Sequence, residues 1–109
     1  MNEIKYIYFK NQENSIHNGV ISIGYKIQYD RILYSVAFCS NNDRFEKGIA
    51  HKIITGRMES DVCSLAYLRT GNITYESIRL YMISELKQYN STFADVKVPS
   101  WAEEIIKNL

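Results

Sequence analysis

The sequence predicts an α+β fold in one domain spanning residues 1–109, with a small N-terminal antiparallel β-sheet followed by helices. Three observations predict it. Apolar residues alternate with a period of two up to about residue 39, and beyond it they recur at steps of three and four. The chain has 109 residues of which 46% are hydrophobic, enough for one modest core and not for two.

The elements follow in order. Residues 4–10, Ile-Lys-Tyr-Ile-Tyr-Phe-Lys, combine alternation with β-branched and aromatic side chains, which makes a first strand. A polar loop covers residues 11–18. In residues 19–29, Ile21, Ile23, Tyr25, Ile27 and Tyr29 alternate with Val20, Ser22, Gly24, Lys26 and Gln28, so the odd-numbered face is the apolar one. Asp30-Arg31 turns the chain into a third strand, residues 32–39, the most apolar and therefore central. Asp43 with Glu46 is expected to cap a helix over residues 44–56, and Phe45, Ile49 and Ile53 mark its apolar face. Gly48 and Gly56 weaken that helix and suggest close backbone approach. Residues 59–69 suit either a buried strand or a short helix, and Thr70-Gly71-Asn72 is a turn by composition. A long helix is expected over 75–89, with Tyr75, Ile78, Met82, Leu86 and Tyr89 on one face, widened by Leu80 and Ile83. Residues 95–98 are extended before Pro99. Ser100 to Glu103 has the spacing of a capping box, opening a last helix with Trp101, Ile105 and Leu109 on one face.

Composition excludes several functions. Thirteen Lys and Arg against 12 Asp and Glu give a net charge of +1, without the basic stripe that a duplex-DNA binder uses to neutralise phosphates. There is no apolar run long enough to span a membrane, and Met1-Asn2-Glu3-Ile4-Lys5 lacks the layout of a secretory signal, so a cytoplasmic protein is expected. Cys39 and Cys63 form no Cys-x-x-Cys pair and fit a reducing compartment as small apolar side chains. His17 and His51 are distant in sequence and have no neighbouring ligands at metal spacing, so no metal is expected.

No arrangement of residues points to catalysis, and no catalytic residue or cofactor is assigned. A nucleophile needs an oriented base, and the phase of the first helix turns His51 away from Ile49 and Ile53, toward solvent. Phosphate-binding glycine motifs are missing. Anion binding has better candidates. The junction from Phe38 to Asp43 presents a helix N-terminus, where Asp43 either caps the helix or accepts hydrogen bonds from ribose hydroxyls. Arg57 continues the Phe45, Ile49, Ile53 series by one further turn, which suits either a guanidinium at the end of an apolar face or a cation placed on the helix dipole. Arg69, beside the predicted turn, and Arg79, one turn after Tyr75, complete the set, since an arginine near a tyrosine can clamp a phosphate while a base stacks. The nine tyrosines serve sheet packing first and base stacking second.

Within residues 36–58, Ala37-Phe38-Cys39-Ser40, then Asp43, Phe45 and Lys47, a small residue before Ile53, and the closing Gly56-Arg57 resemble a stretch of the first-described Thoeris anti-defence family, small phage sponge proteins. This covers about a fifth of the chain. The order of sheet then helices is also similar, whereas Ala50-His51 stands where the family has Gly-Arg. The resemblance implies a phage or prophage protein that works in the cytoplasm of a bacterial host. It implies a non-enzymatic protein that binds a cyclic ADP-ribose isomer made by TIR-domain enzymes and withholds it from its effector. It also implies a homodimer able to assemble into a hexamer, and a separate site for cyclic trinucleotides as in some members. Through the motif, Arg57, Asp43 and Arg44 fall near a ligand or a subunit interface. An alternative expectation is a protein-binding inhibitor of a bacterial defence system, similar in role to an anti-CRISPR, acting through the Trp101 helix or a sheet edge.

Overall fold

A computed structural model describes residues 3–10, 19–28, 30–40, 46–67 and 73–109. Strands β1 (Lys5–Lys10), β2 (Val20–Gln28) and β3 (Arg31–Cys39) form an antiparallel meander, extended by the short β4 (Ser64–Tyr67) in the order β1-β2-β3-β4. Helix α1 (Lys47–Glu59) precedes β4. Helix α2 (Tyr75–Lys87), a hairpin of β5 (Thr92–Phe93) with β6 (Val96–Lys97), and α3 (Ser100–Lys107) complete the chain. The α+β expectation holds, and within the described part of the ambiguous 59–69 segment Ser64–Tyr67 form a strand, at the sheet edge and exposed at Leu65 and Tyr67 rather than buried, while residues 68 and 69 lie outside the described residues.

Both faces of the sheet are covered, which explains why β2 is buried at six consecutive positions. One face carries Ile7, Phe9, Ile21, Ile23, Tyr25, Ile32, Tyr34 and Val36, packed against Ile78, Met82 and Leu86 of α2, Phe93, and Ala102, Ile105 and Ile106 of α3. This is the main core. On the other face Ala37 meets Ala50, Ile54 and Met58 of α1, with Ile4, Tyr6, Cys39 and Cys63 around them. Sheet register aligns Tyr8, Ser22 and Ala37 in one cross-strand row and Tyr6, Gly24 and Ser35 in the next. Four of these six side chains are small, so α1 lies close to the strands.

That contact corrects the expected face of the first helix. Ile49 and Ile53 are 53% and 37% exposed, while Ala50 and Ile54 are fully buried. A Cβ on Gly24 would lie 2.5 Å from Ile54 Cγ2, so the close approach belongs to Gly24, and Gly48 and Gly56 face open space. A second close approach falls at Gly19, where a Cβ would come within 2.3 Å of the Trp101 ring. Trp101 also meets Phe38 edge to face at 6.2 Å. In α2, Tyr75 and Leu80 are exposed and Ile78, Met82 and Leu86 form the buried seam.

Helix starts differ from the capping boxes read in the sequence. Glu46 stands at the N-cap of α1 without a side-chain cap, and Asp43 lies outside the described residues. Pro99 is the N-cap of α3, which makes Ser100 the first helical residue and removes its capping role. The reciprocal cap occurs at α2 instead, where Thr74 accepts from the Ser77 N–H and Ser77 Oγ accepts from the Thr74 N–H. The β2–β3 register ends at Gln28 with Arg31, so Arg31, expected in the turn with Asp30, already belongs to β3. Ala94 and Asp95, with φ of 50° and 65°, form the turn between β5 and β6, a left-handed pair that two-residue hairpins require.

Two stability predictions arise from this packing. Replacing Gly48 and Gly56 with Ala should each stabilise the protein by up to about 1 kcal/mol through helix propensity, whereas Gly24→Ala should cost about 1–3 kcal/mol by overpacking against Ile54. Urea melts of the three variants read the signs directly. The second concerns alkaline pH. Burial, then Tyr34 and Glu85, hold the Tyr81 hydroxyl protonated well above its ordinary range, and burial acts likewise on Tyr25. The unfolded chain therefore releases these protons first, so stability is intact below about pH 10 and declines as pH rises beyond it. The melting temperature should drop from pH 10 upward, and Tyr81→Phe should flatten that drop; parallel curves for the two proteins would contradict the assignment.

Candidate functional site

Rotation of α1 brings its N-terminal half against the exposed edge strand. From an α-helix phase of about 100° per residue, burial of Ala50 and Ile54 turns His51 toward β1. Tyr6 and Tyr8 project from the same face of β1 by strand alternation. His51 and Tyr6 stack with centroids 3.5 Å apart and planes 9° from parallel. The Tyr8 hydroxyl and His51 Nε2 share a 2.6 Å hydrogen bond, in which the hydroxyl donates when the neutral ring carries its proton on Nδ1. One turn earlier, Lys47 places its ammonium 5.1 Å from the Tyr8 ring centroid. Burial, and next the neighbouring Tyr6, raise the Tyr8 pKa, so the hydroxyl stays neutral at ordinary pH. The expectation of a solvent-facing His51 is thereby corrected: the ring is half-buried and held on two sides.

Arg57 lies at the other end of α1. Its guanidinium donates from Nη1 to the Val36 carbonyl, beyond Tyr34, the last residue of β3 that pairs with β4. Burial lowers its pKa, opposed by the nearby Cys39, though an arginine remains charged. The two ends of the 36–58 stretch, Val36 on β3 and Arg57 on α1, are thus in contact. Ser35 Oγ, next along β3, donates to the Val62 carbonyl at 2.9 Å.

The remaining candidates do not converge there. Asp43, Arg44 and Arg69 lie outside the described residues. Tyr75 is 51% exposed at the start of α2. Arg79 places its guanidinium 4.6 Å from the Phe9 ring centroid on the opposite face of the sheet from α1. Lys47, Tyr6, Tyr8 and His51 form a cluster that the sequence-based list lacks. Its legible signal is the even-numbered aromatic pair Tyr6 and Tyr8, on the face of β1 opposite Ile7 and Phe9. Among the described residues no group of three or more His, Cys, Asp or Glu side chains could hold a metal, and no helix is long and apolar enough to cross a membrane. Two open depressions flank α3, the larger of about 460 Å³ between Lys87, Tyr89, Glu103, Ile106 and Lys107.

The fold and cluster define a small α+β domain with an aromatic and cationic surface site on the α1 side of its sheet. Protein-family models, curated proteins and solved structures yield no match to the chain.

Removing the Arg57 side chain leaves the carbonyl of the fully buried Val36 without this donor. Arg57→Ala is expected to lower stability by about 1–3 kcal/mol, with Arg57→Lys losing less because an ammonium can still donate to the carbonyl. Chemical denaturation of both variants checks the order; equal stability to the parent would show that the contact contributes nothing.

Proposed function

We propose that the chain is a non-enzymatic phage or prophage anti-defence protein that binds a cyclic ADP-ribose isomer and withholds it from the effector of bacterial Thoeris immunity. The observation that carries this reading is the Tyr6–His51 stack with the Lys47 ammonium beside it. Planar rings beside a cation suit a ligand with bases and phosphates. The resemblance over residues 36–58 adds support, because Lys47 and Arg57 belong to its motif, while His51 stands where the chain departs from it. Sequestration calls for affinity without turnover, and nanomolar capture corresponds to about 12 kcal/mol. An interface between subunits would enclose more of such a ligand than an open surface does.

The expected result is that purified protein depletes the cyclic ADP-ribose isomer stoichiometrically and that heating returns it chemically intact. A ligand returned in altered form, or never bound, would sink the proposal.

One observation favours the alternative of a protein-binding inhibitor. The outer edge strand β4 exposes Leu65 and Tyr67, at 47% and 65%, where a partner could pair or pack. Trp101, the other element considered for that role, packs against Phe38 and Gly19 instead. This alternative predicts capture of one host protein and no change in melting temperature with cyclic nucleotides.

A further inference from the structure

We infer that His51, Tyr6, Tyr8 and Lys47 form a subsite for a planar heteroaromatic base bearing a phosphate, with the base on the imidazole and the phosphate at the Lys47 ammonium. The inference deepens the nucleotide-binding reading above and rests on it. Four structural facts carry it. The imidazole is already ordered, by a near-parallel stack on Tyr6 at 3.5 Å and by the 2.6 Å bond to Tyr8, so a base added to it immobilises no further ring. His51 is only partly buried, unlike Ile7 and Phe9 on the other face of β1, which are fully buried. Lys47 is one helical turn from His51 on the same side of α1, and its ammonium already lies over the Tyr8 ring, so cation and rings occupy one surface. Tyr6 in turn closes on Gly24, where a Cβ would stand 3.1 Å from Cε1, which seats the lower ring of the stack firmly on the sheet.

The elements also explain the selectivity. Base stacking tolerates any planar ring, since each has a π-face, whereas a lysine ammonium favours anions as a point charge. A ligand with both groups gains both contacts. A base without phosphate keeps only the stack, and a phosphate without base keeps only the charge.

The test is an NMR titration of the full chain, following the His51 ring protons, with three probes: AMP, adenosine and inorganic pyrophosphate. AMP is expected to move the His51 resonances upfield with saturation, adenosine to move them at weaker affinity, and pyrophosphate to leave them nearly in place. Lys47→Met should weaken AMP roughly tenfold and leave adenosine unchanged. His51→Ala should weaken both, and His51→Phe, which keeps a stacking face, should restore adenosine binding. Unmoved His51 resonances at millimolar AMP, or AMP affinity unaltered in Lys47→Met and His51→Ala, would overturn the subsite. The two proposals fail separately. Full capture of the cyclic ADP-ribose isomer by His51→Ala removes the subsite and leaves sequestration standing, while AMP binding at His51 without capture of the isomer does the reverse.

Discussion

The close seating of α1 on the sheet is the constraint on which the rest of this molecule depends. Side chains are small at that spot, because Ser22 and Gly24 of β2 and Ala37 of β3 lie in two adjacent cross-strand rows. Ala50 and Ile54 settle into the space that results. A single methyl group at Gly24 would meet Ile54 and Tyr6 together. From this contact the helix takes its rotation, and the rotation decides everything that α1 presents: His51 against Tyr6 and Tyr8, Lys47 over Tyr8, Arg57 on the Val36 carbonyl. The contact has a cost as well. Ser22 Oγ is fully buried and has no hydrogen-bond partner among the described residues, a burden of about 1–3 kcal/mol.

The two faces of the sheet divide the work. The α2 and α3 side holds the large side chains and most of the buried apolar surface, with Tyr34 in contact with both Tyr81 and Phe93 to link helix, sheet and hairpin. Hydrophobic stabilisation scales with that area, so this side supports the fold. The α1 side buries far fewer residues and keeps polar rings at its margin. A thinly packed layer on a well-packed one leaves aromatic and charged groups ordered yet accessible, which is what a binding surface requires.

Much of the fold is legible in the sequence because the relevant physics is local. Alternation in Ile21, Ile23 and Tyr25 identifies β2, and Ile78, Met82 and Leu86 at four-residue steps identify α2. Where the reading fails, the deciding contact is non-local. Helix α1 carries two apolar series, one through Ile49 and Ile53 and one through Ala50, Ile54 and Met58, and periodicity ranks them equally. Only the register of β2 and β3, which assembles the small residues into one patch, selects the second. The same gap hides His51 from a one-dimensional reading. The even-numbered positions of β2 look like a solvated face, yet Ser22 and Gly24 owe their small size to the helix above them. At α3 the Ser100-to-Glu103 spacing is genuine but begins one residue late, since Pro99 is already extended and takes the boundary position.

Strand β4 pairs with only residues Arg31 to Tyr34 of β3, so among the described residues the rest of that strand has no neighbouring strand on that side. Unsatisfied strand backbone is the usual template for intermolecular pairing and for fibrous growth. By donating to the Val36 carbonyl, beyond the last residue of β3 that pairs with β4, Arg57 supplies from a helix a partner for strand backbone. A charged group there also repels a dry, apolar stack. The residue that looks like a ligand contact in one dimension thus also satisfies, in three, strand backbone that β4 does not reach.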